Sequence, residues 1–261
     1  MKIPHTLAIS SFAVHGTASL KTFITVLGER ILPVPTLMLN GLTNMALVKK
    51  LDVPFKELLQ GTFDLAIARD LDLILYIGYL GKAEHADIIL EMITTYRSHI
   101  KTIITDPVCG DHGRTYVPED IVAQWPRIIG VSDLVFPNLT ELKILTGHQP
   151  YDNEDTGAYV EQFKQLFPKT QMVVTSIKPD DDNIGFEFHG SETYSYSHNA
   201  LSKNYGGSGD AFVALFILNR FYKQMDFNNA LILAADQTYQ IIKNSMDKGS
   251  DDLILNIPEI Y

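Results

Sequence analysis

The chain has 261 residues, 46% of them hydrophobic, which is enough to bury a sizeable core, and it carries a formal net charge of −10. So acidic a chain has no general positive field for nucleic acid or anionic lipid, and a phosphate-bearing ligand would need a local pocket of N–H groups, cations or a metal. Cys109 is the only cysteine, which excludes an internal disulfide framework, suits a reducing compartment, and reads as a small buried hydrophobe rather than a reactive thiol.

The opening "MKIPHTLAISSFAVHG" is interrupted by Pro4, His5 and two serines and reads as a first buried strand, not a leader. The longest apolar runs, near "LDLILYIGYL" and "AFVALFIL", fall short of the roughly 18 residues a membrane span needs. A soluble, cytoplasmic protein without nucleic-acid or membrane partners is expected.

Strands and helices alternate after that. "TLAIS" predicts a strand, "SLKTFITVLG" a helix, "ILPVPTLML" a strand, "FKELLQGTFDLAIARD" a helix, "LDLILYIG" a strand and "HADIILEMITTYRSH" a helix. "TIITDP" and "SDLVFPN" predict strands separated by one helix over "PEDIVAQWPRII", and "LTELKILTG" and a segment near 154–167 predict helices before the strand "QMVVTSI". Such alternation implies βαβ units and a mostly parallel sheet covered on both faces, with ligands beyond the carboxyl ends of the strands. The pattern then changes to period two on either side of "HGSE", predicting an antiparallel hairpin, and two helices at roughly 208–223 and 226–247 end the chain. The acidic "PDDD" before the hairpin reads as a solvated loop. No linker or repeat divides the sequence, so a single domain over 1–261 is expected.

The strongest local signal is "KNYGGSGDAFVALFIL". Gly206, Gly207 and Gly209 free the backbone for close approach just before a helix whose first N–H groups lack partners, which makes an anion site. Ser208 or Asp210 could equally cap that helix, and local pattern leaves capping and catalysis both open. The stretch has no Gly-Lys-Ser/Thr ending of a P-loop, and "SSFAVHGTAS" lacks the dinucleotide fingerprint. Other candidates sit at predicted strand ends: Asp106, Asp111, Arg114 and Tyr116 in "TDPVCGDHGRTYVP", Asn138 and Glu141 in "PNLTEL", and Thr175 and Ser176 in "VVTS". Asp106 could form a turn, and Asn138 with Glu141 could form a capping box. Taken together, two acids and an amide could hold Mg²⁺ where phosphates supply further ligands. The eight histidines show no zinc spacing, and no Ser/His/Asp set can be argued.

These motifs form an ordered set that resembles the ribokinase-like superfamily and, within it, the pyridoxal (vitamin B6) kinases. The resemblance is carried by "AISS" with Gly16, "VPTLMLNGLT", "GYLGKAEH", "DPVCGDHGRTYVPED", "SDLVFPNLTELKILTG", "VVTS" and "GGSGDAF". It implies a three-layer α/β/α domain with a mostly parallel central sheet and a small antiparallel hairpin, and ATP-dependent phosphorylation of the 5′-hydroxymethyl group of pyridoxal, pyridoxine or pyridoxamine. A homodimer using Mg²⁺ or another divalent cation is also implied, with K⁺ a candidate accompanying ion. Asp210 falls at the catalytic base, and the backbone of Gly207, Ser208 and Gly209 at the cradle for the transferring phosphoryl group. The helix dipole there would favour the carboxylate form of the base. Asp106, Asn138 and Glu141 match the metal region; Asp106, Arg114, Tyr116, Thr175 and Ser176 match ATP contacts; Ser11, Thr43 and Tyr79 match the substrate pocket. Phe12 and Leu42 stand where many members have histidines, giving a less polar pocket, while Ser208 replaces a more frequent threonine and Arg114 a common lysine. Two alternatives remain: a hydroxymethylpyrimidine kinase, a branch that often has cysteine where this chain has Asp210, and a non-catalytic vitamer-binding sensor.

Overall fold

In the computed structural model, residues 2–42, 45, 47–152 and 155–256 are described. They group into two compact units, Met1–Leu73 with Ala200–Tyr261, and Ile74–Asn199. Among the described residues no helix is long and apolar enough to cross a membrane.

The first unit is built on β1 (His5–Ala13) and β2 (Ile31–Leu39), a parallel pair. Between them runs α1 (Leu20–Leu27), and the short β3 (Lys50–Leu51) pairs antiparallel with β2. The helix α2 (Phe55–Ala68) packs on β2 through an apolar stripe of Phe55, Leu59, Phe63 and Ala66. The β1/β2 register breaks between Ser10 and Phe12, so Ser11 sits at an irregularity, where a strand can re-aim a side chain.

The same unit contains the two C-terminal helices. α8 (Ser208–Ile217) is buried at every position from Ala211 to Ile217, as expected for a helix that is apolar all round. It packs against α1 and α9 (Phe227–Asp247) and ends in a π-helical turn, Leu218–Tyr222. α9 is capped by Asp226, whose carboxylate accepts from Asn229 N–H at 3.0 Å.

The second unit opens with β4 (Leu73–Ile77), beside β5 (Ile100–Thr105). β5 pairs parallel with β8 (Leu134–Val135), and β8 with β9 (Gln171–Ile177). The expected hairpin is present as β10 (Asn183–His189) and β11 (Thr193–Asn199), and β10 also pairs antiparallel with β9. Helices α3 (His85–Tyr96), α6 (Leu139–Leu145) and α7 (Thr156–Leu166) lie where the periodicity places them.

Two features differ from expectation. The helix expected over 118–129 is split into α4 (Glu119–Val122) and α5 (Trp125–Ile129). Pro126 has no N–H to continue the ladder, and its ring would strike the carbonyl four residues back. The loop after β5 also hides a small hairpin, β6 (Gly110–Asp111) and β7 (Arg114–Thr115), turned by His112 and Gly113 with φ of 49° and 71°. Two successive positive φ values make this a tight primed turn, which the "HG" dipeptide signals only weakly.

Phe216 is fully buried in α8 and meets Phe221 and Phe227 edge-on. Phe216→Ala should lower unfolding free energy by about 3–5 kcal/mol, measured by urea denaturation.

Candidate functional site

In the first unit the glycine-rich turn is a specific construction. Gly207 is the N-cap of α8 in a left-handed conformation (φ 87°). A side chain there would put its Cβ 2.3 Å from the Thr17 carbonyl oxygen and 3.0 Å from Ala18 Cα, so only glycine lets segment 17–18 lie against the turn. Beside Gly209 a Cβ would meet nothing within 4 Å, which leaves open space next to the helix N-terminus where a phosphate could approach the first N–H groups.

The capping alternative for Ser208 and Asp210 does not hold, because α8 has no side-chain cap. Asp210 turns away from its own helix, and its Oδ2 accepts a 2.8 Å hydrogen bond from the Ser19 N–H. Burial pushes the Asp210 carboxyl up to about 6, opposed by that hydrogen bond. The expected dipole effect is therefore outweighed by desolvation, yet the group still ionises below neutral pH.

Ser11 is 5% exposed, and its hydroxyl donates to Ser19 Oγ at 3.0 Å. Thus Ser11, Ser19 and Asp210 form one chain of contacts. Ser19 was not among the sequence candidates, since a serine before a helix reads as an ordinary N-cap. Its backbone has φ 50° and ψ −136°, and its side chain does not cap α1. Such a conformation costs a non-glycine residue about 1–3 kcal/mol. Leu42 packs onto Gly16, with a Cβ placed on that glycine falling 2.4 Å from Leu42 Cγ. Phe12 is partly buried beside Ser11 in β1. Thr43 lies outside the described residues.

The second unit collects most of the strand-end residues. Asn138 and Glu141 form the capping box of α6: Asn138 Oδ1 accepts from Glu141 N–H, and Glu141 Oε2 accepts from Asn138 N–H, both at 3.0 Å. Asn138 Nδ2 also donates to the Gly110 carbonyl at 2.8 Å, and Glu141 Oε1 accepts from Cys109 N–H at 3.0 Å. The capping box therefore ties the base of the β6/β7 hairpin to α6. It does not exhaust Glu141: the carboxyl is 2% exposed, and burial and the nearby Asp106 carboxylate push it well above the usual range, against three backbone N–H groups. Asp106 is likewise buried, with the Tyr76 hydroxyl at 3.5 Å.

Two acids buried close together are an unusual pairing, and here it disfavours the charged form of Glu141. Among the described residues, no three His, Cys, Asp or Glu side chains converge as a metal cage. Two carboxylates are nevertheless the protein complement that Mg²⁺ commonly uses when phosphates and water complete its shell. Asn138 and Glu141 both engage the protein through their side-chain oxygens, and the two acids, Asp106 with Glu141, are the donor set whose charge fits such an ion.

Thr175 is bridged to Asn138 and donates its N–H to the Pro137 carbonyl at 2.9 Å, which sets it beside the capping box. Ser176 is exposed, with φ 60°, where the β9/β10 register skips a residue. This is a bulge that sequence periodicity does not mark. Tyr116 follows β7, donates its N–H to the Cys109 carbonyl at 3.1 Å and exposes 57% of its surface. Arg114 is also exposed, and Tyr79 is partly buried in the loop after β4, its hydroxyl pKa raised by that burial. Cys109 is fully buried with its thiol pushed up by burial and by Glu141, which makes it the inert hydrophobe expected.

A family model described as phosphomethylpyrimidine kinase matches residues 30–256. A pyridoxal kinase of Dictyostelium discoideum is 29% identical over 183 residues, covering 67% of this chain and 60% of that relative. Among solved structures, a Bacteroides thetaiotaomicron protein described as a candidate phosphomethylpyrimidine kinase superposes with a TM-score of 0.85 at 24% identity, covering 98% of this chain and 92% of that one. Plasmodium falciparum PdxK, solved with AMP-PNP and PL, gives a TM-score of 0.82 at 22% identity over 100% of this chain and 95% of its own. The fold is accordingly the ribokinase-like α/β fold, with a mostly parallel central sheet, helices and a small antiparallel hairpin.

Raising the Asp210 carboxyl from 3.8 to about 6 means that the folded state prefers the protonated acid. Its stabilising effect is complete below pH 3.8 and is lost as pH rises through about 6. Asp210→Asn should therefore be more stable than the parent above that range, by at most about 3 kcal/mol. Melting curves at a series of pH values should show the difference growing across that window and flat beyond it.

Proposed function

The chain belongs to the phosphomethylpyrimidine kinase family, and from that premise we propose that it is a pyridoxal kinase, transferring the γ-phosphoryl group of ATP to the 5′-hydroxymethyl group of pyridoxal, pyridoxine or pyridoxamine. The observation that carries this reading is Asp210: an acid beside an open glycine turn, excused from capping, held through one oxygen by the Ser19 N–H. A carboxylate so held keeps its other oxygen for a proton, which suits a base and is unnecessary in a sensor. The Dictyostelium relative is named a pyridoxal kinase, and the Plasmodium protein was solved with AMP-PNP and PL; both support the reading. The family match across 30–256 supports a single kinase domain.

In this mechanism Ser11, Thr43 and Tyr79 hold the acceptor, with Tyr79 offering a face for a flat heteroaromatic ring. Asp210 Oδ1 takes the proton of the 5′-hydroxyl as its oxygen bonds to the γ-phosphorus. The bond from that phosphorus to the β-γ bridging oxygen breaks and ADP leaves. N–H groups of Gly207, Ser208 and Gly209 donate to the charge that develops on the transferring group. Arg114, Tyr116, Thr175 and Ser176 contact the nucleotide. Asp106 and Glu141 would hold a divalent cation, with Asn138 fixing Glu141; bound there, the ion would neutralise charge on the donor phosphates. We further propose a cytoplasmic homodimer; K⁺ as an accompanying ion is an open variable of the assay.

A hydroxymethylpyrimidine kinase is the second reading, favoured by the description of the matching family. The acceptor chemistry differs only in the ring. An ADP-release assay across the three vitamers and hydroxymethylpyrimidine, with and without Mg²⁺ and K⁺, separates the two. Turnover should be highest with a vitamer and abolished by chelation; turnover with hydroxymethylpyrimidine alone would reverse the assignment. Asp210→Asn should retain ATP binding and lose about 10²–10⁴-fold in kcat. The acid limb of the parent's kcat profile should fall near pH 6, where Asp210 ionises.

A further inference from the structure

We propose that Ser19 is a positioning residue for phosphoryl transfer: its backbone N–H sets the Asp210 carboxylate, and its hydroxyl ties that setting to Ser11, so that the base and the acceptor contact are held as one unit. The inference rests on the reading of Asp210 as the base.

Ser19 joins two residues distant in sequence from one another. Its N–H reaches Asp210 Oδ2 at 2.8 Å across 191 positions of chain, and its Oγ receives the Ser11 hydroxyl at 3.0 Å. At the start of α1 a serine hydroxyl would ordinarily accept from the N–H two or three residues on. Here the Thr22 N–H goes to the Ser19 carbonyl instead, at 3.0 Å, and no side-chain cap forms. The hydroxyl is thereby released from its helix and spent on Ser11.

The backbone supplies the second observation. With φ 50° and ψ −136°, Ser19 occupies a region that glycine enters freely and side-chain-bearing residues rarely do. This conformation turns the N–H away from α1 and onto Asp210. It is held from the other side by the turn at Gly207, against which Thr17 and Ala18 lie. Strain of this kind persists only where the surroundings over-determine it, and it gathers at functional positions. Glycine would relieve the strain but offer no hydroxyl. Alanine would keep the strain and offer none either. Serine supplies both contacts, and because Ser11 donates to it, Ser11 is left with its lone pairs available to a donor group on the acceptor.

The test compares Ser19→Ala, Ser19→Gly, Ser11→Ala and Asp210→Asn by steady-state kinetics with varied acceptor and varied ATP. Ser19→Ala, strained and without its tie, should lose roughly 10–100-fold in kcat as the carboxylate shifts. Ser19→Gly, free to adopt the same backbone, should recover most of that kcat but keep an acceptor KM raised about 3–10-fold, the loss of one hydrogen bond. Ser11→Ala, which also removes the acceptor contact, should raise acceptor KM at least as much, and the double variant Ser11→Ala/Ser19→Gly should be no worse than Ser11→Ala alone, since Ser11→Ala has already broken the tie that Ser19→Gly removes. KM for ATP should not move. A purely structural role predicts no recovery by glycine and no split between kcat and acceptor KM, and either result overturns the inference. Parental kinetics in Ser19→Ala overturn it as well. Should Ser19→Ala fail to fold, parental acceptor KM in Ser19→Gly is the overturning result. If Asp210→Asn retains full turnover, the base assignment itself falls and the inference with it; if Asp210→Asn is inactive while the Ser19 variants behave as the parent, only the inference falls.

Discussion

Much of the proposed chemistry depends on the burial of α8. From Ala211 to Ile217 every residue of this helix is inaccessible, so the helix cannot slide or tilt without bringing apolar surface into water, at about 25 cal/mol per Å². Its N-terminus is consequently a fixed point. The glycine turn at Gly207, the open side of Gly209 and the Asp210 carboxylate inherit that fixity, and Ser19 reads it from across the unit. A helix of ordinary amphipathic character would hold its N-terminus less firmly, and an anion cradle is only as good as the orientation of its N–H groups.

The second unit solves a different problem. Asp106 and Glu141 are both buried in an already acidic protein, and burial together with the Asp106 carboxylate makes Glu141 harder to ionise. Backbone N–H groups from Cys109, Gly110 and Asn138 offset part of that penalty, and they come from the same capping box and hairpin that hold the loop after β5 in shape. The result is a pair of buried acids held in place by those hydrogen bonds, a donor set that a divalent cation accompanied by phosphate would suit.

Much of the fold was legible because it rests on local periodicity. Runs such as "QMVVTSI" and "ILPVPTLML" coincide with β9 and β2 end to end, since a short apolar run rich in strand formers between breakers is itself the strand signal. Pro126 dividing α4 from α5 is equally local in cause, and only the wider helical pattern concealed it. The β6/β7 hairpin escaped because two-residue strands carry no period to detect, and the Ser176 bulge because one skipped pairing leaves the apolar run of β9 intact. For the site, the glycine turn and the strand-end acids stood out by residue type, yet each had a harmless alternative. In the case of Asn138 and Glu141, the capping box is real and coexists with the candidate metal role.

By itself the sequence determined the alternation of strands and helices, the C-terminal hairpin, the apolar helix behind the glycine turn, and the set of strand-end residues whose order resembles a B6 kinase. These follow from propensities and spacings that act within a few residues. Only the tertiary structure decided that Asp210 does not cap its helix, because its partner lies 191 positions away and no local pattern reaches that far. It also decided the ionisation of Asp210 and Glu141, which burial sets and composition does not. The role of Ser19 belongs to the same class: its chemistry comes from a backbone angle that the packing of the whole unit imposes.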